Sequence, residues 1–328
     1  MKISQIPQAL ETAHKANMSV FLKGAPGTAK TASVRQYAKS KGLHLVHIPA
    51  PLTDPLDVRG IPTTDAETAR FLPLDFWPKE TDKPVVVLID EFPQCVPAIQ
   101  NAYAQLLIDK QVGNIKLPEG SFVVATGNRK EDRAATHNIP SHIVSRVMHI
   151  EVDRSNDDFL HYALTKKFPI EIHSFGNFRP DAIYDFDAKN SQDPYACYRT
   201  WEYVANILKT SPPDDLLLEL LSGVIGKGAA TEFMAFRRMH KSLPDPKAVL
   251  RDPDSQTIPT EPSVLYAVSS ALAAVVDDKN VSNYFKYIRR LPVEFAVMSV
   301  KTARTTYPEI KKAKDFGVWA KENSSVLF

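Results

Sequence analysis

"GAPGTAKT", residues 24–31, follows the short apolar run Val20-Phe21-Leu22 and leads into "TASVRQYAKSKG". An apolar strand, a glycine-bearing turn and a helix in that order turn backbone N–H groups toward one point. The helix N-terminus adds the positive end of its dipole there. The pattern is G-x-x-x-x-G-K-[ST] with one departure, because Ala29 stands where the last glycine belongs. Gly24 and Gly27 allow the backbone to curl tightly and approach a phosphate. In this reading Lys30 reaches β and γ phosphates, and Thr31 places its hydroxyl on Mg²⁺. Gly24, Ala25, Pro26, Gly27, Thr28, Ala29, Lys30 and Thr31 together form the candidate cradle. The methyl of Ala29 is harmless only if the backbone angles there tolerate a Cβ. A flexible loop that holds no nucleotide is the competing reading.

Two more apolar runs end in polar groups. "VVVLIDEF" carries five successive apolar residues, Val85 to Ile89, and ends in Asp90-Glu91. Such a run suits a strand covered on both faces in a parallel sheet. Ligands in open α/β sheets bind at the C-terminal edge, where these acids would lie. Asp90 would hold Mg²⁺ through its water shell, and Glu91 would polarise an attacking water. Acids that are merely solvated at a strand end are the plain alternative. "FVVATGNR" ends in Asn128. If its strand lies between the other two, Asn128 faces the γ-phosphate and can orient water; alone, an Asn there is turn chemistry.

Further strands are expected at residues 43–48 and 147–152, with helices over 4–16, 31–42 and 97–109. Residues 49–84 hold seven prolines, from Pro49 to Pro84, which argues against a long helix or a central strand. Strands alternating with helices give a three-layer α/β domain. Beyond residue 153 strand signal fades. Helical stretches are expected near 155–167, 199–209, 214–225, 228–241, 262–276, 281–290 and 293–304, separated by "SPPDD", "LPDP" and "RDPDSQTIPTEP".

The composition narrows the function classes. The chain has 328 residues, 44% hydrophobic and 24% charged, with a net charge of +2. That balance gives no broad basic footprint for nucleic acid. Cys95 and Cys197 stand far apart, so they read as packed thiols rather than a metal knuckle or redox pair. No H-E-x-x-H or G-x-S-x-G string occurs, which removes the support for a zinc protease or a serine hydrolase. No apolar run reaches the ~18 residues of a membrane span and no signal-peptide core is present, so a cytoplasmic protein is expected. His44 and His47 are expected as hydrogen-bonded strand residues. Trp201, Phe233 and Phe236 fit core positions of helices, and Arg237-Arg238-His240-Lys241 reads as a solvated helix face. Phe71, Phe76 and Trp77 read as an apolar cluster under a loop, with a partner-contact surface as the sharper alternative.

The order of these pieces, closed by "HIVSRV", resembles AAA+ ATPases. More narrowly, "DEFPQCVPAIQNAYAQLLIDKQV" and "NRKEDRAATHNIPSHIVSRV" are similar to the segments of the MoxR group that run from Walker B to its helix and from sensor 1 to the arginine finger. Some members of that group also carry Ala before the P-loop lysine. The resemblance implies a P-loop NTPase core of AAA+ type with a parallel five-stranded sheet over 1–153. An all-α lid over 154–245 and a helical C-terminal extension over 246–328 would follow. It makes Lys30 and Thr31 Walker A, Asp90 and Glu91 Walker B, and Asn128 sensor 1. Arg146 becomes the arginine finger, Arg199 in "YRTWE" sensor 2, and Arg133 a second candidate acting in trans. ATP and Mg²⁺ are the implied cofactors. A well-placed arginine is worth roughly 10³–10⁵ in phosphoryl transfer. Arg146 precedes the last expected strand, so a neighbouring copy would have to use it. That implies a homo-oligomeric ring, a hexamer by analogy, with "APLTDPLDVRGIP" as a candidate pore lining.

The leading expectation is a ring-forming ATPase that remodels or activates a partner protein, and the resemblance implies a von Willebrand factor A domain protein as one such partner. A DNA-associated loader or translocase subunit and a nucleotide-binding scaffold without turnover are the alternatives. A small-molecule kinase fits the helical second half less well than either.

Overall fold

The computed structural model describes residues 1–64, 68–80, 82–132, 136–189 and 193–324. The chain divides into two compact units, one built on Met1–Ser155 and one that begins at Asn156.

The first unit is organised by five strands: β1 (Val20–Gly24), β2 (His44–Pro49), β3 (Val85–Asp90), β4 (Phe122–Gly127) and β5 (Met148–Val152). All pairs are parallel, and the order across the sheet is β2-β3-β4-β1-β5. The apolar runs follow from this order. In β3, Val85, Val87 and Ile89 enter one core with Tyr103, Leu106 and Leu107 of helix α3 (Pro97–Asp109). Val86 and Leu88 enter the opposite core with α1 (Ile6–Lys15) and α2 (Lys30–Lys41). Successive side chains point to opposite faces, so a strand between two helical layers has no polar face. Val86 to Ile89 are each 0% exposed, a burial worth roughly 1.5–3 kcal/mol per side chain. The acids at the end of β3 therefore stand on a rigid strand. These layers and this strand order make the unit a three-layer α/β core around a parallel five-stranded sheet, as expected.

Two hairpins lie outside the expected elements. Ile61–Thr64 pairs antiparallel with Ala69–Leu72 inside the proline-rich segment. The expectation of an irregular segment is corrected here: it holds neither a long helix nor a central strand, but Pro62 is accommodated in an isolated two-stranded pair where few ladder donors are needed. The short strands Gln111–Val112 and Ile115–Lys116 form the second. Its two-residue Gly113-Asn114 connection is a hairpin signal. Trp77 is buried and donates from Nε1 to the carbonyl of Asp57 at 2.9 Å, while Phe71 and Phe76 are exposed.

Helices at the seven expected places fill the second unit. They include α4 (Asn156–Thr165), α6 (Tyr198–Lys209), α7 (Asp214–Ile225) and α8 (Lys227–Lys241). Three more helices were not expected: α5 (Ile170–Phe178), Pro246–Arg251 and Lys314–Glu322. α5 hides from pattern reading because five of its nine residues are buried and it contains a glycine. Gly176 packs closely against the side chains of Leu160 and Ile183, where a Cβ would require Leu160 to shift. Phe175, Trp201, Phe233 and Phe236 form one aromatic cluster, so the core reading of those residues holds. The basic stretch is not simply solvated. Arg237 pairs with Glu171 and Asp214, and Lys241 pairs with Asp214.

Candidate functional site

β1 ends at Gly24, and α2 begins at Lys30. Gly24 leaves no room for a side chain, because a Cβ would sit 2.7 Å from the carbonyl of Val152 on β5. Gly27 has φ +71°. Thr28, fully buried, donates to the carbonyl of Ala25 at 2.8 Å and stiffens the turn. Ala29 has φ 61° and ψ 21°, the left-handed region. The loop therefore keeps the backbone a glycine would adopt and tolerates the methyl at a cost. That cost is roughly 1–2 kcal/mol, against about 0.5–1 kcal/mol of chain freedom that glycine would lose on folding. Ala29→Gly is therefore expected to stabilise the fold by up to about 1 kcal/mol, or about 2–4 °C in Tm. A thermal melt checks this, and a lower Tm would contradict it.

The Lys30 ammonium is buried at the mouth of the turn. It donates to the carbonyls of Gly24 and Ala25 at 2.8 and 2.9 Å and to Asn128 Oδ1 at 3.1 Å. β4 lies between β3 and β1, which meets the condition set for Asn128. Thr31 Oγ1 donates to both oxygens of Asp90, at 2.9 and 3.1 Å. Thr126 of β4 donates to Asp90 Oδ1, and His47 of β2 lies 3.2 Å from Oδ2. Burial pushes the Asp90 pKa up. The hydroxyl bonds from Thr126 and Thr31, with the hydrogen bond of His47, outweigh it and hold the pKa below the ordinary carboxylate value.

Glu91 follows in the left-handed region, φ 58° and ψ 32°, with its side chain exposed. Its neighbours hold that strained backbone in place. The carbonyl of Pro93 accepts from His137 N at 2.6 Å. The Pro93 ring packs where a Cβ on Gly127 would come within 2.2 Å of it. Cys95 is a free, buried thiol whose pKa burial raises to about 11, so it is inert packing.

Arg146 is exposed at the other end of the sheet. Met148 of β5 lies opposite Val20 and Val152 opposite Gly24. At a strand rise of ~3.3 Å per residue the four steps from Met148 to Val152 already span about 13 Å, and Arg146 lies in the turn before Met148, farther from the glycine turn than an arginine side chain spans. It donates instead to the carbonyl of His142 at 2.8 Å. Arg199 is exposed in the first turn of α6, in the second unit. Arg133 lies outside the described residues.

The cluster thus joins Lys30, Thr31, Asp90 and Asn128 by hydrogen bonds, with Glu91 beside it and Arg146 apart. Sequence reading missed Thr126 and His47 as members, and Arg35, whose NH2 lies 3.0 Å from His47 Nδ1. Thr126 is visible in "ATGN" only as one more strand residue. His47 reaches Asp90 only because β2 pairs with β3.

The donor set fits a nucleotide with Mg²⁺. A hydroxyl beside a carboxylate supplies hard oxygen ligands, and the lysine and turn amides supply positive character for phosphate. Among the described residues no group of three or more His, Cys, Asp and Glu could hold a metal, and no helix is long and apolar enough to cross a membrane.

No protein-family model matches the chain. No curated protein matches it either. Solved structures are similar at low identity. The Thermotoga maritima RuvB Holliday junction branch migration motor is 16% identical with a TM-score of 0.39, over 88% of this chain and 86% of that one. A putative ATPase from Cytophaga hutchinsonii ATCC 33406 is 14% identical with a TM-score of 0.35, over 97% and 87%.

Proposed function

We propose that the chain is an ATPase whose hydrolytic site is completed by a second copy, and that it uses ATP to remodel or activate a partner protein, as the MoxR resemblance implies. The observation that carries the ATPase reading is the junction of Lys30, Thr31, Asp90 and Asn128 across the ends of β1, β3 and β4. Lys30 would bind phosphate in place of the Gly24 and Ala25 carbonyls. Thr31 and Asp90 would hold Mg²⁺, Asp90 largely through water. Mg²⁺ would supply charge neutralisation for the β and γ phosphates. Asn128 would orient the attacking water, and Glu91 would accept its proton.

The requirement for a second copy rests on Arg146. Its distance from its own turn leaves a neighbour's γ-phosphate as the target consistent with a finger role. Residues 154–245 would serve as the lid and 246–328 as an extension. Arg199 keeps the sensor 2 role on the resemblance alone. The test combines phosphate release with light-scattering mass over a dilution series, with and without ATP. Turnover per subunit is expected to fall as the assembly dissociates. Full turnover at monomer mass would overturn the shared site.

A further inference from the structure

We propose that His47 is a positioning residue for the Mg²⁺ site, held in one tautomer by Arg35 so that it fixes the orientation of the Asp90 carboxylate. The inference rests on the ATPase reading and extends it to two residues outside the P-loop and the acidic strand end.

The geometry is a chain of three side chains from three elements. Arg35 lies on α2, one turn past Thr31. Its NH2 is 3.0 Å from His47 Nδ1. His47 Nε2 is 3.2 Å from Asp90 Oδ2. A guanidinium only donates, so Nδ1 must accept. In the neutral ring the proton then sits on Nε2 and points at the carboxylate. The other hydroxyl donors reach Asp90 from α2 and β4. His47 supplies a donor from the remaining neighbour, β2, and so braces the carboxylate on its third side. The register puts Pro49 opposite Asp90, so His47 stands on the paired strand just before that level.

A carboxylate that meets a cation through water needs a fixed orientation, because each lone pair must face a particular water. Groups that orient metal-binding carboxylates typically affect metal affinity 10–100-fold. The ring of His47 is partly exposed, at 29% of its side chain. The contact is therefore not one the hydrophobic core requires.

The experiment uses the full chain and N-methylanthraniloyl-ATP, its affinity measured by fluorescence with Mg²⁺ and with EDTA. The readout is the ratio of the two affinities, the Mg²⁺ enhancement. His47→Ala is expected to lower the enhancement about tenfold and to leave the EDTA affinity within about twofold. His47→Gln carries both a donor and an acceptor and is expected to retain most of the enhancement. Arg35→Ala frees the ring to present a lone pair to Asp90 and is expected to fall between them. A wild-type enhancement in folded His47→Ala would overturn the proposal. If that variant does not fold, Arg35→Ala decides, because its side chain is on the surface; a wild-type enhancement there would also overturn it. Loss in His47→Gln equal to that in His47→Ala, with unchanged Tm, would count against the donor–acceptor relay. Failure of the wild-type chain to bind the probe at all would sink the ATPase reading, and this inference with it.

Discussion

Lys30→Ala is expected to leave a folded chain that no longer holds Mg·ATP. The ammonium donates to Gly24 O, Ala25 O and Asn128 Oδ1, and in the proposed reading it exchanges the carbonyls for phosphate oxygens. Each hydrogen bond to a charged group is worth about 1.5–3 kcal/mol. Two of them to the β and γ phosphates amount to about 3–6 kcal/mol, a factor of roughly 10²–10⁴ in affinity. The fold should survive, because alanine keeps the helical backbone at the start of α2 and the strands are held by the two apolar cores. Fluorescent ATP binding measures the loss, and circular dichroism confirms the fold. Wild-type affinity in a folded variant would remove the turn from nucleotide binding.

The second large effect is Glu91→Gln. Glutamine has nearly the same shape and meets the same left-handed backbone at position 91, so the strand end should be undisturbed. It cannot take up a proton. General-base catalysis contributes about 10²–10⁴-fold, and phosphate release should drop by that factor while ATP affinity stays within a few-fold. Unchanged turnover would take Glu91 out of the chemistry. Asp90 gives the opposite contrast, since its oxygens are engaged by Thr31, Thr126 and His47 and it has little freedom to act as a base. The exposed neighbour is the better candidate for proton transfer.

The parts of the site that sequence made legible share one property. Lys30, Thr31, Asp90 and Asn128 all end or follow a run whose burial is written locally, and each sits at a fixed offset from that run. β3 announces itself because two helical layers leave it no polar face. Other features depend on what lies beside what. Nothing near His47 in "LHLVHIP" points to Asp90; the contact exists because β2 pairs with β3 in a particular register. The hairpin in the proline-rich segment lacks the alternation that a strand over a core shows, and all four residues of Ala69–Leu72 are exposed. α5 is missed for another reason, since its five consecutive buried residues, Ile172 to Gly176, include His173 and Ser174 and leave no apolar stripe to detect. Ala29 is a middle case. The residue was visible as a departure from the pattern, but only its backbone angles show that the departure costs strain rather than shape.

The contact between Gly127 and Pro93 has a mechanical meaning. Position 127 cannot accept even a methyl without striking the proline ring, so Asn128 and the Glu91 turn ride on a single lever. In the proposed reading, a shift of the Asn128 amide toward a γ-phosphate would push on the segment that carries Glu91, by direct contact between Gly127 and the Pro93 ring. Recognition of the terminal phosphate and alignment of the proton acceptor would then be one movement.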